Sequence, residues 1–251
     1  MSDRSGASAV CIEVGASGVE TVHLGPGSSY LVEAGAHEPA HGVPLLIAVP
    51  GLVAGGRVVA ASNLDWYDVD PAARLGLRGR ARVVCNDAEA AALGESVLRP
   101  GAPELVFLGL GTGVGGAVVL GLPEDRVVHA NLFAHHAGFS TRTCRCTRVG
   151  CLETVAGGWA LPETLDDDHL EAMASALAEA VRMEPLATPE LVVVAGGLSR
   201  AYPQLVALLA TALPDRVVEG SAAPGTKSAA PWGLRDLFDR ESVRLSRTAN
   251  A

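Results

Sequence analysis

The stretch Glu104-Leu-Val-Phe-Leu-Gly-Leu-Gly-Thr-Gly-Val-Gly-Gly-Ala-Val-Val-Leu120 decides the fold class. After Glu104 it is apolar with little interruption as far as Leu110, the pattern of a strand covered on both faces. Gly111-Thr-Gly-Val-Gly-Gly116 then reads as a glycine-rich turn, and Ala117–Leu120 as a second strand. The glycines Gly111, Gly113, Gly115 and Gly116 let backbone N–H groups approach phosphate oxygens closely. Thr112 adds a hydroxyl donor or a route to bound Mg²⁺. No Gly-Lys-Ser/Thr follows, so this is not a P-loop, and a strand rather than a helix follows, so it is not a dinucleotide fingerprint. Taken alone, the turn reads equally well as a tight hairpin.

Working outward, the same grammar occurs near the start. Ala9–Val14 and Val19–Leu24 flank Gly15-Ala-Ser-Gly18, a weak internal repeat of the kind two duplicated lobes leave. A third glycine pair, Gly196-Gly197, follows the buried strand Leu191–Ala195. A phosphate-holding turn between two strands is the device of actin- and hexokinase-type ATPases. In those proteins each lobe contributes one turn, the nucleotide lies between them, and Gly196–Ser199 would lie by the adenosine. The expectation is an α/β chain with a two-lobed actin/hexokinase-like (ribonuclease H-like) ATPase fold. Residues 1–103 would form a small lobe, completed by a C-terminal helix over about 236–251. Residues 104–235 would form a larger lobe carrying a metal-binding loop.

The remaining elements are consistent with that plan. Ser29–Val32, Val43–Val49 and Arg82–Cys85 read as strands and Asn86–Leu98 as a helix. Asp168–Met183 puts Leu170, Met173, Leu177 and Val181 on one helical stripe, a core face. Tyr202–Leu213 is helical, and Ala229–Phe238 begins the last helix.

Nineteen basic against 28 acidic residues, with one lysine and a net charge of −9, argue against nucleic acid as a partner. No apolar stretch approaches the ~18–20 residues a membrane span needs, and no leader is apparent, so a cytoplasmic location is expected.

Two further clusters carry chemistry. Asn86-Asp87 stands where a strand turns into a helix. Either residue can serve as the N-cap. The carboxyl ends of α/β strands are also where ligands bind, and an aspartate there can accept a proton from an attacking hydroxyl. Cys144, Cys146 and Cys151 have C-x-C-x4-C spacing and follow His135 and His136. Three thiolates and an imidazole make a closed tetrahedral shell for structural Zn²⁺. Arg142, Arg145 and Arg148 are placed to help hold the thiolates deprotonated.

Pro50-Gly51, Ser62-Asn63-Leu64-Asp65-Trp66, Cys85-Asn86-Asp87-Ala88, Gly111–Gly116 and Cys144-x-Cys146-x4-Cys151-Leu-Glu153 occur in this order. From about Val10 to about Leu237 the chain resembles the ROK family (repressor, open reading frame, kinase). That resemblance implies a sugar kinase using ATP with Mg²⁺, structural Zn²⁺, a sugar or polyol substrate, and a homodimer. It implies Asp87 as catalytic base and Asn63, Asn86, His136 and Glu153 as sugar-binding residues. It implies Glu13, Gly15, Ser17, Gly111, Thr112, Gly113, Gly115, Gly116, Gly196 and Gly197 at the nucleotide. The zinc ligands would be Cys144, Cys146, Cys151 and His136, with His135 the alternative. The other reading is a ROK-like chain without kinase activity, a zinc-stiffened ligand-binding or scaffolding protein.

The chain also departs from the family's pattern. The first turn, Asp-x-Gly-x-Thr in the family, is Glu13-Val-Gly15-Ala-Ser17 here. A glutamate three residues before the zinc histidine is replaced by Phe133, or by Leu132 in the other register. Its loss forfeits a charge-assisted hydrogen bond of roughly 1.5–3 kcal/mol. Thr147 replaces a glycine of the zinc loop. A helix usual before Leu45-Leu-Ile-Ala-Val-Pro-Gly51 has no room, and the helical region between Glu153 and Gly196 is shortened. The first deletion predicts a bare sheet face, hidden by a partner subunit or a rearranged segment.

Overall fold

The computed structural model describes residues 8–26, 29–102, 104–121, 125–130, 133–184, 189–214, 216–221 and 225–249. The chain opens with β1 (Ala9–Gly15), β2 (Gly18–Leu24), β3 (Tyr30–Ala34) and β4 (Leu45–Val49). It continues through β5 (Leu52–Ala54), β6 (Arg57–Ala61), β7 (Trp66–Val69), α1 (Pro71–Arg74), β8 (Val83–Asn86) and α2 (Asp87–Leu98). Then follow β9 (Glu104–Leu110), β10 (Val114–Leu120), β11 (Val127–Ala130) and α3 (Glu153–Ala156). The last elements are α4 (Asp167–Arg182), β12 (Leu191–Ala195), α5 (Gly197–Ala201), α6 (Pro203–Ala212), β13 (Val217–Glu219) and α7 (Ala230–Ala249).

The chain divides into two compact units, Met1–Val97 with Ala222–Ala251, and Leu98–Ser221. The segment returning to the first unit begins at 222, ahead of the residue near 236 read from sequence. Its early return has a cause, because Lys227 and Ser228 already bond to residues of β1 and β2.

Each unit contains a five-stranded sheet, ordered β3-β2-β1-β4-β8 and β11-β10-β9-β12-β13. The pairings match strand for strand: two antiparallel pairs follow the opening strand on one side, two parallel pairs lie on the other. The weak sequence repeat is thus a repeat of topology.

In the first unit, alternation along β1 and β4 sends Val10, Ile12, Val14, Leu45, Ile47 and Val49 to one face. There they pack on Val58, Ala61 and Trp66 of the small β5-β6-β7 sheet and on Ala72 of α1. The β1 and β4 part of the sheet face predicted to be bare is covered by this segment of the chain itself. The outer strands carry polar groups on that side instead, with His23 Nε2 2.7 Å from Glu33 Oε2. The opposite face packs on α7, where the Cys11 thiol donates to the Pro231 carbonyl at 3.5 Å.

Helices α2 and α7 touch backbone to backbone. A Cβ on Gly94 would stand 1.8 Å from the Ala229 oxygen, and one on Gly233 1.9 Å from that of Ala90. Only glycine permits so close an approach.

In the second unit, Val106, Leu108 and Leu110 of β9 pack with Leu170, Met173, Leu177 and Val181 of α4 and Leu205 and Leu209 of α6. The helical stripe is therefore core. Burying each such side chain stabilises by about 1.5–3 kcal/mol. Among the described residues no helix is long and apolar enough to cross a membrane.

Candidate functional site

In the first unit, β1 and β2 pair up to Gly15 opposite Gly18, leaving Ala16 and Ser17 as the turn. Gly18 has φ +130, a conformation L side chains rarely adopt. Glu13 lies two residues before Gly15, and its Oε2 accepts the Ser228 hydroxyl at 2.8 Å. Ser228 also accepts the Ala230 N–H at 3.0 Å as α7 begins. Burial pushes the Glu13 carboxyl up to about 7, against the Ser228 hydrogen bond, with the charges of Asp87 and Glu20 adding to the rise. Ser228 escaped the sequence reading. A serine before a helix signals a cap, and nothing local ties it to a strand at residue 13.

Asp87 is the first residue of α2, directly after β8. Burial pushes its carboxyl up to about 6, the Glu89 charge adds to this, and hydrogen bonding to the Ala88 N–H opposes it. Asn86 takes the capping role, its Oδ1 accepting from Ala88 N at 2.9 Å and Glu89 N at 3.2 Å. Its Nδ2 donates to the Gly51 carbonyl at 2.8 Å, anchoring the loop after β4. Gly51 has φ +95, and a Cβ there would lie 2.2 Å from the Ala60 oxygen. Asn63 sits exposed in the turn joining β6 to β7. Asp87 and Glu13 are thus brought close enough to interact electrostatically, while Asn86 is committed to the backbone around them.

In the second unit the glycine turn is shorter than the sequence suggested. Leu110 pairs with Val114, so only Gly111, Thr112 and Gly113 form the turn. Gly115 and Gly116 lie inside β10, opposite Gly109 and Leu108. The turn is held by the segment after the cysteines. The N–H groups of Gly158 and Trp159 donate to the carbonyls of Gly111 and Thr112, each at 2.9 Å, and Glu153 Oε1 accepts the Val114 N–H at 3.2 Å. Gly196 packs on the end of β9, where a Cβ would meet the Leu110 oxygen at 2.2 Å. Gly197 opens α5 and faces open space. Gly111–Gly113 and Gly196 therefore gather at the carboxyl ends of the parallel pair β9 and β12.

His135, Cys144, Cys146 and Cys151 present ligand atoms within 4.8 Å of one another. Cys144 Sγ lies 3.8 Å from His135 Nδ1, and Cys146 Sγ 3.6 Å from Cys151 Sγ. Zn–S bonds of about 2.3 Å in a tetrahedron require S···S edges of about 3.8 Å, so this donor set fits Zn²⁺. The imidazole of the cluster is His135, not His136. His135 ends a short 3-10 turn, and the backbone carbonyl of the next residue, His136, accepts the Leu152 N–H. With His135 in this place, the glutamate missing from the family pattern falls on Leu132. Leu132 and the side chain of Phe133 lie outside the described residues.

Arg142 does not serve the thiols, since its guanidinium donates to the carbonyls of Thr154 and Ala160. Arg145 stacks 4.8 Å above the Trp159 ring. At Cys146 burial opposes ionisation, yet backbone and side-chain hydrogen bonds from Arg148 hold its thiol below the ordinary value. Thr147 occupies the left-handed region at φ +73, where the family's glycine would be unstrained.

Two sheets of one topology, each opening on a glycine hairpin, define an actin/hexokinase-like ATPase fold. The chain belongs to the ROK family, whose model matches residues 29–221. It is 31% identical over 231 residues to a kanosamine kinase of Amycolatopsis mediterranei, covering 80% of this chain and 75% of that protein. It is 31% identical over 144 residues to a glucokinase of Halalkalibacterium halodurans, covering 53% of this chain and 43% of that one. The chain therefore matches less than half the length of that glucokinase. A ROK family glucokinase of Streptomyces griseus, solved with glucose and AMPPNP, superposes with a TM-score of 0.67 at 20% identity. That match covers 91% of this chain and 98% of the other.

Proposed function

We propose that the chain transfers the γ-phosphoryl group of ATP to a hydroxyl of a sugar, with Asp87 as general base. The observation that carries this is a half-buried carboxylate directly after β8, its pKa raised to about 6, in the unit that also holds the Gly15–Gly18 turn. A base poised just below neutral pH is largely ionised in the cell yet still takes a proton readily. In the step, Asp87 accepts the hydroxyl proton as that oxygen bonds to the γ-phosphorus, and the bond from phosphorus to the β,γ-bridging oxygen breaks. Backbone N–H groups at Gly15–Gly18, and at Thr112 and Gly113 in the other unit, suit phosphate oxygens. Glu13 is the carboxylate at the first turn that would hold Mg²⁺, which would neutralise developing phosphate charge when bound. His135, Cys144, Cys146 and Cys151 would hold Zn²⁺ in a closed shell, stiffening the loop that precedes Glu153.

A second reading, a ligand-binding protein that does not turn over, is favoured by two residues. Asn86 and Glu153, both expected at the sugar, bond to the protein's own backbone. One experiment separates the two: ADP release with glucose, N-acetylmannosamine and kanosamine, on wild type and Asp87→Asn. Turnover with any of these, abolished by Asp87→Asn, is expected. No turnover, together with no rise in melting temperature on adding Mg·ATP, would sink the kinase reading.

A further inference from the structure

Lys227 is the only lysine in a chain that carries 18 arginines. It comes from the returning C-terminal segment, and its Nζ donates to the Gly18 carbonyl at 3.0 Å. A Cβ on Gly18 would stand 3.9 Å from that nitrogen, so the ammonium lies against the first turn itself. It is held there from two sides. The Lys227 N–H donates to Glu20 Oε1 at 3.0 Å, and the next residue, Ser228, donates to Glu13. Glu13, Glu20 and Asp87 all raise the negative potential around this turn, and the Lys227 charge acts against it at Glu13. An unopposed group of three carboxylates would repel a triphosphate. An ammonium is a compact point charge with three donors, of which the Gly18 carbonyl takes one.

We propose that Lys227 is the phosphate-binding cation of the first turn, holding the terminal phosphates of the nucleotide from a position the C-terminal segment provides. This rests on the kinase reading above. The role depends on charge at this place, not on the bond to Gly18, and that distinction makes it testable.

Lys227→Gln keeps a donor for the Gly18 carbonyl and removes the charge. By calorimetric titration, Lys227→Gln should bind Mg·AMPPNP about tenfold or more weakly than wild type, while AMP, lacking the outer phosphates, changes less than about twofold. AMPPNP affinity in wild type should fall with added salt, and the variant should show a flatter dependence. Lys227→Arg, which keeps the charge, should recover part of the loss. A single lysine also permits a measurement that does not depend on refolding a variant. Acetylating folded wild type should weaken AMPPNP binding, and the same treatment of Lys227→Arg should not. Unchanged AMPPNP affinity in Lys227→Gln or in the acetylated protein overturns the proposal, as does an equal loss for AMP. Wild type that binds neither nucleotide overturns this proposal and the kinase reading together.

Discussion

Glu153 Oε1 accepts the N–H of Val114 at 3.2 Å, so the carboxylate after the last cysteine is bonded to the residue that ends the glycine turn. Its Oε2 lies 3.6 Å from Cys144 Sγ. One buried side chain thereby spans the distance from the cysteine loop to the candidate phosphate turn.

Glu153→Ala should leave the buried Val114 N–H without an acceptor, at a cost of about 1–3 kcal/mol in chemical denaturation. Glu153→Gln retains a carbonyl acceptor and should lose less. Equal losses in the two variants would show that the carboxylate charge, not this hydrogen bond, is what matters.

Asp87 gives opposite pH signatures in stability and in turnover. Its folded pKa of about 6 exceeds the ordinary 3.8, so the folded state holds the proton more tightly than the unfolded chain does. That contribution to stability is complete below about 3.8 and is lost as pH rises through 6. Asp87→Asn should therefore gain stability relative to wild type near pH 7, by at most about 3 kcal/mol. Turnover requires the ionised carboxylate and should rise through pH 6 in wild type. Glu89→Gln removes a charge that raises Asp87, so the acidic limb of its rate profile should move to lower pH.

Metal analysis of the purified chain should find one zinc per molecule. His135→Ala should reduce this well below one, and His136→Ala should leave it intact. The reverse pattern would return His136 to the shell.

Gly94→Ala puts a methyl within 2 Å of the Ala229 oxygen just ahead of α7, and Gly233→Ala within 2 Å of the Ala90 oxygen of α2. Backbone cannot yield as a flexible side chain does, so each should cost about 3 kcal/mol or more. The loss should appear as a lower denaturation midpoint. A change under about 0.5 kcal/mol would mean that α2 and α7 separate easily.

Much of the fold was legible because its strands are short, apolar and punctuated by glycine, and because the two units repeat one grammar. Asn86-Asp87 and the three cysteines stood out by spacing alone. What escaped has physical causes. Gly115 and Gly116 looked like turn residues because glycine signals a break, yet the pairing of Leu110 with Val114 carries them into a strand. His135 and His136 are identical neighbours, and only the turn that ends on His135 distinguishes them. The cover over Ile12 and Ile47 comes from Val58 and Trp66, residues whose strands gave no sign of forming a separate sheet. Ser228 meets Glu13 across 215 residues of chain, beyond the reach of any local pattern.

That last contact bears on the order in which the molecule can assemble. The second unit is one continuous stretch, Leu98–Ser221, and all of it has been synthesised before Lys227 or Ser228 is joined to the chain. The first unit lacks its α7 wall, its Ser228 clamp and its ammonium until the segment from 225 onward has left the ribosome. Until then β1 and β4 have one face uncovered, waiting for the strip that closes it. Maturation thus departs from chain order, the middle of the protein having all its parts before its beginning does. A circular permutant that joins residues 222–249 ahead of residue 8 would give the first unit all its parts at once.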